Sequence, residues 1–255
     1  MALKCNACWM VACAVAVLVV WPSSAPADVL EDGSWRVDPG SGSSYYAFGQ
    51  CTAVFDDLLL VGSPRDTGRG DGQGEANLYQ FIDGDWEYLQ AFAESSASWS
   101  FGTSVDMDAS RIVIGSPNEA NGNGGTGVVY IYVNGPSGWE FDGVLSSDSL
   151  DDADRFGHSL SLDGNFLAVG EPGYDDGSTD GNHGRASIWR LGVNGSSFML
   201  QTAAPDQQSL DRMFGWSLDL EGSILAVGGP SIEASSEDGG RAWVFRKDGD
   251  YYQQE

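Results

Sequence analysis

Three carboxylates in one loop come nearest to the spacing of a metal site. Asp175, Asp176 and Asp180 lie within residues 174–181, among glycine, serine and threonine. Carboxylate oxygens, together with backbone carbonyls and water, are the ligands that Ca²⁺ prefers. The spacing differs from that of the twelve-residue helix-loop-helix calcium site, and Asp and Gly are also ordinary turn residues. We therefore expect no cofactor, with one weakly bound calcium ion at this loop as the alternative.

Nucleophilic chemistry has one candidate segment. Residues 157–161 read Gly-His-Ser-Leu-Ser, close to the Gly-x-Ser-x-Gly nucleophile elbow, but the fifth residue is Ser161 and no strand–turn–helix context is expected. His158 and His183, the two histidines, stand in no metal-ligand or general-base spacing. The sequence therefore predicts that the protein is not an enzyme, and a hydrolase or lyase remains the alternative.

The elements that carry these residues are four copies of one repeat. Each copy reads Phe-Gly-x-Ser/Cys, a short hairpin, three apolar residues and then Gly-x-Pro. The copies occupy residues 48–64, 101–117, 156–172 and 214–230. A period of roughly 50–60 residues, filled with strand-like segments, predicts a repeat architecture. Ser159 occupies a repeat position shared with Ser104 and Ser217, which explains this serine without catalysis.

Each copy continues with two more strand-like segments. A glycine opens the first of them and an aromatic residue begins the second; these positions are Gly74 and Trp86, Gly127 and Trp139, Gly184 and Phe198, and Gly240. About four strands per repeat is the content of one propeller blade. The apolar triplets, such as Ile112-Val113-Ile114, predict strands that are covered on both faces, as between neighbouring blades.

These columns resemble FG-GAP repeats, which form the blades of the N-terminal propeller of integrin α-subunits and of many secreted relatives. The resemblance covers roughly residues 34–255. It implies an all-β propeller of four-stranded blades, incomplete beside the seven blades usual in integrins. The implied repeats lie near residues 48–97, 101–150, 156–208 and 214–255.

One departure from the family pattern concerns calcium. In the calcium-binding form of the repeat, an Asp-rich ligand loop lies between Phe-Gly and Gly-x-Pro. Here the spacing from Phe to that Gly is short and identical in all four copies, which leaves only tight turns. Such turns cannot supply the six or more oxygens that Ca²⁺ takes. We expect that the metal chemistry of those relatives does not carry over.

The N-terminus has the pattern of a cleavable signal peptide over residues 1–27. Lys4 precedes an apolar run from Trp9 to Trp21, and Ala25-Pro26-Ala27 matches a small-x-small cleavage site. The run is shorter than the roughly 20 residues that span a bilayer, so an uncleaved anchor is the less favoured reading. The prediction is a secreted, extracellular protein of residues 28–255, with no membrane insertion after cleavage and with Cys51 as its one cysteine.

The charge of the chain restricts its partners. The formal net charge is −25 at pH 7, and the acidic residues are spread along the loops. A surface this acidic repels nucleic acid and anionic membranes, so neither is expected as a partner.

Three exposed features are candidate contact sites. Arg69-Gly70-Asp71, in a glycine-rich loop, is the tripeptide that integrins recognise in their ligands, although a three-residue match arises easily by chance. Trp216 follows Phe-Gly in the fourth copy and is a candidate for binding a partner. Asn194 begins a glycosylation sequon.

The sequence as a whole indicates a binding or adhesion module. Rigid blades would present variable loops to an extracellular protein or glycan partner, and a glycan-binding lectin is the alternative within the same class. Trp35 and Tyr251 both stand in the column that starts the last strand of a blade, one more than a closed ring of four blades needs. We expect either a longer chain or an open arc whose unpaired blade edges favour self-association.

Overall fold

The fold is known from a computed structural model, which describes twelve stretches of the chain. These are residues 28–29, 35–37, 45–66, 74–94, 100–118, 126–148, 154–175, 183–192, 196–203, 213–230, 240–249 and 251–254. The predictions for the signal segment 1–27, for Arg69-Gly70-Asp71 and for Asp176, Asp180 and Asn194 fall outside these stretches and stay predictions. The described residues contain no helix, hence none with the length and apolar character to cross a membrane.

Every regular element in the described residues is a β-strand. In chain order the strands are β1 (Asp28–Val29), β2 (Trp35–Arg36), β3 (Tyr45–Tyr46), β4 (Cys51–Phe55), β5 (Leu58–Ser63), β6 (Arg65–Asp66), β7 (Glu75–Ile82), β8 (Asp85–Phe92), β9 (Ser104–Met107), β10 (Arg111–Ser116), β11 (Val128–Gly135), β12 (Gly138–Ser146), β13 (Ser159–Asp163), β14 (Phe166–Glu171), β15 (Arg185–Arg190), β16 (Phe198–Ala203), β17 (Ser217–Glu221), β18 (Ile224–Gly229), β19 (Arg241–Asp248) and β20 (Tyr251–Gln254).

Sixteen of these strands form four antiparallel sheets of four strands each, which we call blades 1 to 4. Blade 1 contains β4, β5, β7 and β8; blade 2 contains β9 to β12; blade 3 contains β13 to β16; blade 4 contains β17 to β20. Strands within a blade neighbour one another in chain order, so each blade is a meander. The prediction of an all-β fold of four-stranded propeller blades is confirmed.

Two small sheets lie outside the blades. β3 pairs with β6, and β1 pairs with β2. Trp35 was expected in the last strand of a blade; it lies in β2, where its only described strand partner is Val29 of β1.

Local chemistry explains how each meander turns and twists. The hairpin between β7 and β8 turns at Asp83-Gly84, where both residues have positive φ angles, 54° and 94°. Asp-Gly is the dipeptide that favours this type of two-residue turn. In blades 1 to 3 the register between the third and fourth strands shifts at equivalent positions, after Leu78, Ile131 and Ile188. An irregularity of this kind increases the local twist of a sheet.

The hydrophobic core is divided into three layers between successive blades. Residues of blades 1 and 2 form the first cluster, blades 2 and 3 the second, and blades 3 and 4 the third. The triplet of β10 shows why both faces are apolar: Ile112 and Ile114 point into the first cluster and Val113 into the second, and all three are fully buried. The prediction that these strands are covered on both faces is confirmed for the inner blades.

A polar contact accompanies each apolar layer. The Ser or Cys after Phe-Gly-x donates a hydrogen bond to the carbonyl oxygen of the Phe-Gly glycine in the next blade. The three bonds are Cys51 Sγ to Gly102 O at 3.2 Å, Ser104 Oγ to Gly157 O at 2.6 Å and Ser159 Oγ to Gly215 O at 2.7 Å.

The same three carbonyls explain why the Gly-x-Pro column needs glycine. A Cβ atom added at Gly62, Gly115 or Gly170 would overlap the carbonyl oxygen of Gly102, Gly157 or Gly215, respectively. We call this arrangement the blade contact: the Phe-Gly carbonyl of one blade, seated on the Gly-x-Pro glycine of the preceding blade and bonded to its Ser or Cys.

Cys51 takes its place in the first blade contact as a small, half-buried residue. Burial raises the pKa of its thiol to about 12, against weaker opposing effects of two backbone hydrogen bonds. A thiol with this pKa is almost entirely protonated at neutral pH and is therefore a poor nucleophile.

The layered core predicts a large difference between two apolar positions of blade 2. Ile114→Asp would place an unpaired carboxylate between blades 1 and 2 and should lower the free energy of unfolding by several kcal/mol. Val144→Asp, on an exposed position of β12, should cost about 1 kcal/mol or less. Urea denaturation followed by tryptophan fluorescence measures both, and equal losses would contradict the assignment of faces.

Candidate functional site

The Phe-Gly segments bring one side chain from each blade to a common rim. In all four copies the glycine after Phe has a φ angle between 81° and 88°, which favours glycine. Backbone N–H groups of the segment donate to the Gly-x-Pro glycine of the same blade, for example Gly49 N to Gly62 O at 3.0 Å and Gly102 N to Gly115 O at 3.0 Å. This clamp fixes the direction of the residue after Phe-Gly.

A cavity of about 260 Å³ opens at this rim between blades 1, 2 and 3. Its walls come from the residue after Phe-Gly in three copies, from the prolines of two Gly-x-Pro segments and from the residues that flank them. The lining residues are Gln50, Thr103, His158, Pro64, Pro117, Ser100, Asn118 and Arg155. Most of the polar groups are neutral hydrogen-bonding groups, and Arg155 is the one charged side chain among these lining residues.

An aromatic pair adjoins the cavity. The His158 ring lies 4.4 Å from the Trp216 ring, centroid to centroid, with the planes tilted by 50°. Burial and, to a smaller extent, the nearby positive charge of Arg155 lower the pKa of His158 to about 4. The imidazole is therefore neutral at pH 7, and Trp216 keeps 39% of its surface exposed. The two rings form an uncharged aromatic surface beside the cavity.

The backbone of Arg155 is unusual, but the fold accounts for it. Arg155 has a φ angle of 60°, which is costly for a residue with a side chain. Ala47 and Met213, at the same position of the first and fourth copies, also have positive φ angles, 68° and 70°. The strained backbone therefore belongs to the position directly before Phe-Gly. In the third copy this position is occupied by a cation, Arg155.

The lowered pKa of His158 predicts how stability depends on pH. Because the folded-state pKa of about 4 lies below the ordinary 6.5, the unfolded chain binds a proton at His158 before the folded chain does. The contribution of His158 to the free energy of unfolding should therefore fall as pH decreases from about 6.5 to about 4.

Urea denaturation of the wild type and His158→Gln over this pH range measures that contribution as the difference between the two profiles. His183→Gln is the matched control for loss of a histidine. Profiles of wild type and His158→Gln that stay parallel from pH 7 to pH 4 would show that His158 is not held neutral by the fold.

The middle residue of the third Gly-x-Pro segment, Glu171, forms a buried ion pair with Arg185. The Glu171 side chain is fully buried and accepts two hydrogen bonds from Arg185, from Nε at 3.0 Å and from Nη2 at 2.6 Å. Ser147 Oγ donates a third bond to Glu171 at 2.8 Å, and Asp148 lies 2.9 Å from Arg185 Nη2. Burial raises the pKa of Glu171, whereas the bonds from Arg185 and Ser147 act in the opposite direction.

This ion pair supports the base of the loop that carries the three candidate calcium ligands. The Arg185 guanidinium lies 4.0 Å from the centre of the Tyr174 ring, and Tyr174 immediately precedes Asp175. Asp176 and Asp180 lie outside the described residues. Within the described residues no three carboxylate, histidine or cysteine side chains are grouped as metal ligands. The weak calcium site at this loop stays a prediction.

The ion pair predicts a strong dependence of Glu171 on its partner. Arg185→Met would leave a buried carboxylate without its cation and should lower the free energy of unfolding by about 3–5 kcal/mol. Adding Glu171→Gln should recover a large part of that loss, because the buried charge is then gone. Arg190→Met, at the exposed end of the same strand β15, is the matched control and should change stability by about 0.5 kcal/mol or less.

Thermal and urea denaturation of the three variants provide the measurement. If the double variant were as unstable as Arg185→Met alone, the stability would come from packing of the arginine stem and not from neutralising Glu171.

The structure assigns different places to the residues singled out in the sequence. Trp216 lies at the rim beside His158, so these two are brought together, whereas His183 lies just before the third strand of blade 3. Sequence reasoning missed Gln50, Thr103 and Arg155 as cavity residues, because each copy has a different residue type there. It also missed Glu171, although an acid in a column otherwise filled by Ser63, Ser116 and Gly229 was a usable signal.

The blades and their rim define a propeller-type scaffold, and a comparison with known families identifies its repeat. Residues 139–189 match the family model of the FG-GAP repeat. This span runs from the fourth strand of blade 2 to the third strand of blade 3 and contains the whole third copy of Phe-Gly to Gly-x-Pro. The predicted FG-GAP repeat is confirmed for this span, and the likeness to integrin α-subunits remains a resemblance. No curated protein matches the chain.

Proposed function

We propose that the chain is a secreted, extracellular binding module that uses the cavity at the Phe-Gly rim to hold a polar group of a protein or glycan partner. FG-GAP repeats occur in extracellular proteins and generally build binding scaffolds, which supports this class of function. The observation that carries the proposal is the convergence of side chains from three blades on one cavity of about 260 Å³.

The chemistry of the lining favours an uncharged, hydroxyl-rich or amide-rich group. Gln50, Asn118, Thr103 and Ser100 offer neutral donors and acceptors, which bind such groups without a large cost of removing charge from water. The net charge of −25 on the chain repels anions before they reach Arg155. Trp216 and His158 add an aromatic surface on which the apolar face of a sugar ring can stack.

Catalysis receives less support from the same side chains. A general base works best when its pKa lies near the working pH, whereas the pKa of His158 is about 4. The thiol of Cys51 has a pKa of about 12 and donates a hydrogen bond within a blade contact, so it is a poor nucleophile. A hydrolase or lyase activity is therefore the weaker alternative to binding.

A binding assay with a matched pair of variants tests the proposal. The secreted protein is applied to an array of neutral and acidic oligosaccharides and extracellular-matrix proteins, with and without Ca²⁺. Gln50→Ala with Asn118→Ala removes two exposed amides from the cavity and should weaken binding at least about tenfold. Gln253→Ala with Gln254→Ala removes two exposed amides from β20 and should leave binding unchanged.

Two further observations make the assay decisive. Binding to a neutral group should change little between about 0.05 M and 0.5 M NaCl, since screening acts mainly on charged partners. Competition by a free sugar would identify the lectin form of the proposal. Binding that is equally strong in both double variants would place the contact elsewhere and overturn the cavity as the site.

A further inference from the structure

One buried position of blade 2 holds a cation where the other blades hold an apolar side chain. Arg111 is the first residue of β10, the second strand of its blade, and the equivalent residues are Leu58, Phe166 and Ile224. The repeat therefore does not require a charge at this position. Only 8% of Arg111 is exposed, and a charge removed from water to this degree needs compensating partners.

The hydrogen-bond partners of the Arg111 side chain are neutral oxygen atoms. Nη1 donates to Asn165 Oδ1 at 3.0 Å and to Gly164 O at 3.4 Å, and Nη2 donates to Gly192 O at 3.2 Å. A weak contact of 3.5 Å joins Nη1 to Ser110 Oγ. Among the described residues no carboxylate forms an ion pair with this guanidinium, and its buried Nε atom has no hydrogen-bond partner. Arg111 is therefore a buried cation without a described counter-ion.

Arg185, the other buried arginine of the described residues, shows how the same chain compensates such a charge. It is 6% exposed, and its Nε and Nη2 atoms donate to the two carboxylate oxygens of Glu171 at 3.0 Å and 2.6 Å. In Arg111 the same side of the guanidinium carries only the bond from Nη2 to Gly192. The chain has 37 acidic and 12 basic residues, so a shortage of carboxylates does not explain the difference.

The polar groups around Arg111 do not supply the missing acceptor. The nearest acid in the sequence, Asp108, accepts the backbone N–H groups of Ser110 and Arg111 at 2.7 Å and 2.8 Å and so stabilises the turn before β10. On the side of blade 3, Ser197 lies in the connection between β15 and β16, which also contains Gly192, and its buried Oγ has no hydrogen-bond partner either. Buried polar groups in this condition call for an ion or a water molecule.

We propose that the junction of blades 2 and 3 at Arg111 binds one small monovalent anion, such as chloride, which accepts a hydrogen bond from Arg111 Nε. An anion supplies the acceptor for Nε and the negative charge for the guanidinium together. A buried water molecule would satisfy Nε but leave the charge uncompensated, which is the costly part. Because Nε is out of contact with solvent, the ligand must be small, and a bulky organic anion such as gluconate is excluded.

The bound anion would strengthen the contact between two blades. Arg111 belongs to blade 2, and its side chain bonds the turn between β13 and β14, at Gly164 and Asn165, and the connection after β15, at Gly192. Neutralising its charge favours this arrangement over the unfolded chain, in which water solvates the guanidinium. β10 runs from Arg111 towards Pro117 of the rim cavity, so the anion site lies at the other end of this strand and does not depend on the proposed function.

The net charge of the chain sets the affinity that we expect. A charge of −25 lowers the concentration of anions near the protein, so binding should be weak, with a Kd on the order of 10 mM. An anion that binds the folded chain alone raises the folding equilibrium constant by the factor 1 + [anion]/Kd, which is about tenfold at ten times Kd. For one site, the slope of the logarithm of this constant against the logarithm of the chloride concentration approaches one.

Urea denaturation followed by circular dichroism tests the proposal at pH 7. Sodium gluconate is replaced stepwise by sodium chloride at a constant ionic strength of about 0.3 M, which keeps the screening of all other charges fixed. The folding equilibrium constant of the wild type should rise about tenfold between gluconate alone and about 0.1 M chloride.

Two substitutions of Arg111 and one control assign the effect to this site. Arg111→Leu introduces the residue type that blade 1 has at the equivalent position and should abolish the chloride dependence. Arg111→Lys keeps the positive charge but removes the Nε donor, and should weaken chloride binding at least about fivefold. Arg190→Leu removes an exposed cation from the end of β15 and should keep the chloride dependence of the wild type.

Chlorine NMR of the folded proteins measures binding without unfolding them. The wild type and Arg190→Leu should broaden the chloride resonance, and Arg111→Lys should broaden it less, which provides the comparison if Arg111→Leu does not fold. Equal stability of the wild type in both salts would show that water completes the site. A chloride effect of the same size in the wild type and in Arg111→Lys would place the anion elsewhere. Either of these two results overturns the proposal.

Discussion

The arc of blades depends on one close approach between backbones. In blades 2, 3 and 4 the glycine carbonyl of the Phe-Gly segment rests on a bare glycine of the preceding blade, where any Cβ atom would overlap it. Both halves of the contact stand at opposite ends of the same first hairpin, and the spacing from Phe to Gly is identical in every copy. Because side chains alternate along a strand, a change of one residue in this hairpin would move the Gly-x-Pro glycine away from the Phe-Gly carbonyl of the next blade. The fixed spacing is thus a consequence of the contact.

Repetition explains how much of the fold the sequence could reveal. A single copy of Phe-Gly and Gly-x-Pro carries little information, but four copies in one register separate the residues that the fold requires from those that vary. Ile112, Val113 and Ile114 were assigned to two covered faces correctly, and they pack into two different layers. The pairing of Trp35 with Asp28–Val29 was not foreseen, because a column match to Trp86 does not determine which strand lies beside it.

The candidate site was harder to predict for a physical reason. Gln50, Thr103 and His158 differ in type, and they meet only because the clamp of each Phe-Gly segment directs them to one rim. Their convergence depends on how successive blades are placed, which no local pattern encodes. The same holds for Glu171 and Arg185, which lie on successive strands and stabilise each other across the loop that joins them. The chemistry of this protein therefore lies in the positions that break the repeat.

Length variation in this chain is confined to the segments outside the blade contact. The step from one Phe-Gly segment to the next grows along the chain, from Phe48 through Phe101 and Phe156 to Phe214, while the hairpin that carries the contact keeps one length. Every copy brings both halves of the contact with it, so a tandem duplication in the gene would insert a whole blade that fits its neighbours at once. Blade number can then change in a single genetic event, whereas the hairpin keeps the same length in all four copies of this chain. Such a chain can evolve by gaining or losing whole blades and by changing its loops, while the contact between blades stays the same.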